Sequence, residues 1–122
     1  MPVSQASQVI ERTKERAHVL QEELLHWAAE VGRAEEAGAA NETQVQAIQS
    51  AAELARHEAD GLRAVLAANV EMTDEEAEAM VKLDRELTDI ASEYAQLRGR
   101  AARLYRPKEL AEPPLPTSFN PR

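Results

Sequence analysis

The chain has 122 residues, a formal net charge of −8, 30% charged residues and 3% aromatic ones. It is long enough for one domain or one extended helical unit. The acidic balance excludes a general nucleic-acid binder, which needs a basic surface for phosphate. With no cysteine there is no disulfide, thiolate nucleophile or cysteine-ligated metal.

The first segment carries a seven-residue repeat through Val3, Ile10, Ala17, Leu24 and Val31, with companions Ala6, Thr13, Leu20, Trp27 and Ala34. This is the a/d spacing of a helical seam. Trp27 on that seam reads as a core anchor; the alternative is an edge residue that anchors a partner. The opening stretch "MPVSQASQVIERTKER" lacks the apolar run of a Sec-type signal peptide. Gly38 can adopt the left-handed conformation that ends the helix.

Asn41 is positioned to cap the second helix, with Gln44 at the capping-box position. The seam here is Val45, Ala52, Ala59 and Leu66, with Ile48, Ala55, Leu62 and Asn69. Ala47, Ala51, Leu54, Ala64, Val65 and Ala67 widen its apolar face. A helix apolar over so much of its girth is expected to lie between the other two. Gly61, off the seam, makes it the weakest, since Gly costs roughly 1 kcal/mol against Ala in a helix interior.

Thr73 reads as the cap of the third helix, with Glu76 three residues on and Asp74 and Glu75 in the first turn. Its seam runs Met80, Leu87, Tyr94 and Ala101, with Leu83, Ile90, Leu97 and Leu104 between. Tyr94 is expected in the core, with its hydroxyl paired. Pro107 ends the helix near Leu104 to Arg106. Residues 71–92 carry a net −6 and residues 93–108 a net +4. That gradient complements the helix dipole. It also leaves a basic end, Arg98, Arg103 and Arg106, suited to an acidic partner.

The expected fold is therefore all-α: helices at about 4–37, 42–69 and 74–105, each roughly 40–50 Å long, as an up-down-up bundle. Helix length, heptads and a tryptophan inside the first helix resemble the architecture of a spectrin-type repeat. The first seam is also regular enough to pair with a second copy. No hydrophobic run reaches the length of a transmembrane span.

Glu15 with His18 and Glu23 with His26 have the Glu-x-x-His spacing of half a di-iron site. The heptad turns these histidines off the seam, so no metal is expected. No nucleophile elbow, Walker loop or other glycine-rich phosphate cradle is present, and the four glycines are isolated. The reading is a non-enzyme without cofactor or small-molecule substrate.

Residues 106–122, "RPKELAEPPLPTSFNPR", hold five of the six prolines and the only phenylalanine. They read as an extended docking arm with Leu110, Leu115 and Phe119 as anchors. Pro113–Pro116 looks like some WW-domain ligands. "YRPKE", Tyr105 to Glu109, resembles the Tyr-x-x-x-Asp/Glu export element of type VII secretion substrates. The expected function is a helical spacer or oligomerisation module docking on protein subunits of a large assembly, in the cytoplasm or a virion. Small connector or accessory proteins of phage particles share that plan. The alternative is a type VII-like secreted substrate.

Overall fold

A computed structural model describes residues 4–69 and 71–105. Three helices make the fold: α1 (Gln5–Ala37), α2 (Glu42–Ala67) and α3 (Asp74–Leu104). Short turns join them, so neighbours in sequence run antiparallel. Side-chain ties confirm the sense. Ser4 meets Glu76 at one end, and Arg100 meets Glu35 near the other, so α1 and α3 run the same way.

Each boundary has a local cause. The Ser4 hydroxyl caps α1 by accepting from the Ser7 amide at 3.0 Å. Gly38 closes α1 at φ +89°, its amide donating to Ala34 and Glu35 carbonyls. A side chain there would be strained in that left-handed conformation. Asn41 caps α2 through the Gln44 amide at 2.7 Å. Thr73 and Glu76 form a reciprocal capping box at the start of α3.

Glu76 does more than cap. Its carboxylate also accepts from the hydroxyls of Ser4 at 2.6 Å and Ser7 at 2.8 Å. The box thus fastens the start of α1 to the start of α3. These donors favour the ionised form, and the Ser4 bond above all holds the Glu76 carboxyl at about 2. A depressed folded-state pKa stabilises the fold above the unfolded value. That contribution is lost as pH falls through the range from 4.5 to about 2. Glu76→Gln is therefore expected to be less stable than the native chain at neutral pH, with the gap shrinking toward pH 2; denaturant titrations at several pH values measure it.

The core is one continuous seam. Ile10, Leu20, Leu24 and Val31 from α1 meet Val45, Ile48 and Leu66 from α2, and Met80, Leu83, Leu87, Ile90, Tyr94 and Leu97 from α3. Thr13 is buried among them. The expected seam position Val3 lies outside the described residues. Leu62 and Asn69, placed on the α2 seam by periodicity, are half-buried. Asn69 stands past the helix end, where its amide donates to the Val65 carbonyl.

The central helix is α3, and the expectation for α2 is corrected. α3 packs along both partners, whereas α1 and α2 meet sparsely. The reason is side-chain size. Ala52, Ala55 and Ala59 let α2 approach α3 closely, but they are too short to reach across to α1. The long residues of α3 fill both interfaces. Tyr94 shows this: it is fully buried, and its hydroxyl donates to the Leu20 carbonyl of α1 at 2.7 Å.

Candidate docking surface

Each pair of helices is tied by an arginine and a carboxylate. Arg16 of α1 holds both oxygens of Glu58 on α2. Arg63 of α2 donates to Asp84 of α3 at 2.8 Å. Arg100 of α3 grips Glu35 of α1 through two bonds, at 2.9 and 2.6 Å. Exposed pairs contribute about 0–1 kcal/mol each, but forked arginines fix helix register.

Similar pairing covers part of the basic end of α3. Arg98 lies 3.6 Å from Glu53 of α2, which also faces Arg56 and His57. Arg103 acts on Glu35, where the Arg100 hydrogen bond is the main cause of a lowered carboxyl pKa. An acidic partner would have to compete with Glu35 and Glu53 for this end. Arg106, Leu110, Leu115 and Phe119 lie outside the described residues.

The histidines stand off the core. His18 faces Glu22, and His57 faces Glu53. The His26 ring meets the Trp27 ring edge-on, with centroids 5.0 Å apart. Among the described residues no three His, Asp or Glu side chains converge as a metal would need.

The sparse α1–α2 meeting leaves a groove of about 270 Å³. Trp27 and Glu23 form one wall; Ala51, Leu54 and Glu58 form the other. Leu20 and Ala55 complete its floor. Trp27 is half-buried, packed against the core on one side and open to the groove on the other. Leu54 is 71% exposed. Along the same side of α2 run Ala47, Ala51, Leu54, Gly61 and Val65, spaced four, three, seven and four residues apart. That is a second helical stripe outside the seam. The row is broken by Glu58, which is why the sequence shows a broad apolar face rather than a second seam.

A second apolar hollow, about 530 Å³, lies between α2 and α3 at the opposite end of the bundle from Tyr105. Met72, Ala77 and Val81 contribute to it. The chain leaves α3 beside the α1–α2 turn, where Tyr105 forms a parallel bridge with Ala40. Both residues pack against the core. Among the described residues no helix is long and apolar enough to cross a membrane. Comparison with family models, curated proteins and solved structures finds no match to the chain.

Proposed function

We propose that this protein is a non-enzymatic assembly component. Its bundle is a helical spacer or oligomerisation unit, and residues 106–122 dock on a neighbouring protein subunit of a large complex, in the cytoplasm or a virion. The observation that carries this reading is the contrast between bundle and arm. The described bundle packs most of its long apolar groups into an aliphatic seam and ties its helices with arginine–carboxylate pairs. The arm then concentrates Leu110, Leu115 and Phe119 among prolines, which lowers the entropy lost on docking.

Phe119→Ala is expected to weaken incorporation into the parent complex by about 2 kcal/mol, roughly thirtyfold, as loss of one aromatic anchor does. Tyr105→Ala combined with Glu109→Ala is expected to leave incorporation nearly intact. Co-purification from the native source measures both. Loss of export in the double variant, with incorporation unchanged in Phe119→Ala, would favour the type VII-like reading.

A further inference from the structure

The groove between α1 and α2 and the proline-rich segment complement each other in position, in chemistry and in length. We infer that this groove is the seat of the chain's own residues 106–122, so that the arm lies on its own bundle until a partner takes it. The inference rests on the reading of that segment as a docking arm.

Position comes first. Tyr105 is bridged to Ala40 in the α1–α2 turn, so the segment starts beside the turn that joins the two helices walling the groove. Leu54 lies fourteen residues beyond Ala40 along α2, or about 21 Å at 1.5 Å per residue. Leu115 lies ten residues beyond Tyr105, a reach of about 31 Å at the polyproline rise of 3.1 Å per residue. The surplus of about 10 Å matches one helix diameter, the distance needed to pass over the turn. The hollow at Met72 and Val81 is farther off, within reach of Phe119 but not of Leu115. Val81 stands twenty-four residues back along α3 from Tyr105, about 36 Å away and beyond Leu115.

Chemistry agrees. Proline-rich segments dock in grooves lined by aromatic rings, and the flat ring supplies the contact. Trp27 is the chain's only tryptophan, it forms one wall of this groove, and His26 supports its ring edge-on. The stretch that reaches Trp27 and Leu54, "PPLPTSF" from Pro113 to Phe119, carries no charge. Seating it there desolvates no ionised group of the arm. Of the groove's two carboxylates, Glu58 is matched by Arg16, and Glu23 is exposed within the field of the same arginine. Attachment to the same chain gives an effective concentration of the order of millimolar, so the own arm outcompetes that of a second copy.

Trp27 reports the seat directly. In the full chain, Leu115→Glu is expected to move Trp27 emission to longer wavelength and to raise its acrylamide quenching about twofold, as a half-buried ring loses its cover. Helicity should not change. The native signal should hold over about a hundredfold dilution, as an intramolecular contact requires. A second measurement uses the absence of cysteine: Ala51→Cys with Thr117→Cys should form a disulfide within one chain, seen as a monomer on a non-reducing gel. Trp27 quenching indifferent to Leu115→Glu, with no intrachain disulfide, overturns the inference. Cover that disappears on dilution, or a disulfide found only between chains, overturns it too, because the occupant is then another copy. The two readings also separate. Loss of incorporation with Trp27 unmoved refutes the seat but not the assembly role. A shift of Trp27 with incorporation unchanged supports the seat and refutes the docking role.

Discussion

Leu87→Asp is expected to abolish cooperative folding. Leu87 is 0% exposed, in the middle of the helix that packs on both others. The substitution removes a buried leucine and puts a carboxylate into the apolar core cluster. An uncompensated buried charge costs several kcal/mol, and a domain of this size is stabilised by about 5–15 kcal/mol in all. A core of alanines and leucines has little reserve. Thermal melts followed by far-UV circular dichroism should show a broad, low-amplitude transition. His57→Ala serves as the contrast: its side chain is 75% exposed, and a change within about 0.5 kcal/mol is expected. A sharp, native-like melt for Leu87→Asp would mean that α3 is not the centre of the bundle.

Tyr94 is the second position of large effect. It is fully buried and spans from α3 to the α1 backbone at Leu20. Tyr94→Ala should cost about 3–5 kcal/mol, the range for removing a buried ring and leaving a cavity. Tyr94→Phe keeps the ring and loses only the hydroxyl bond, for about 1 kcal/mol. Alkali provides a second test. Burial, reinforced by the charges of Glu23 and Glu58, pushes the phenol up to about 12. The unfolded chain ionises near 10, so the raised folded value contributes stability that is complete below pH 10 and lost as pH climbs to about 12. The native chain should lose stability over that window faster than Tyr94→Phe, in denaturant midpoints measured on both. Parallel curves would place the phenol in water.

Much of this architecture was legible because it is written locally. Helix ends depend on one residue and neighbours three or four positions away, so Gly38, Asn41 and Thr73 announce themselves. The seams depend on a fixed seven-residue period, so Leu20, Leu87 and Tyr94 fall inside. The order of packing was not legible. Breadth of apolar surface suggested α2 as the middle helix, but side-chain length decided for α3. Trp27 sits on a seam position yet stays half-exposed, because the alanines opposite do not close over it. The basic end of α3 looked open to a partner, and Glu35 and Glu53 instead face it from other helices. Those pairs are separated by forty-five residues and more, a distance over which no local pattern speaks.

The central claim is that the bundle folds without the arm and docks through it. Removing residues 107–122 deletes no residue of the described seam, so helicity should stay nearly unchanged, and the melting temperature should fall only by what the seat over Trp27 and Leu54 contributes. The direct measurement is co-sedimentation of the full chain and of residues 1–106 with the native complex. The full chain should travel with the complex and the shortened chain should remain at the top of the gradient. Equal sedimentation of the two would contradict the account and move the docking surface to the helices.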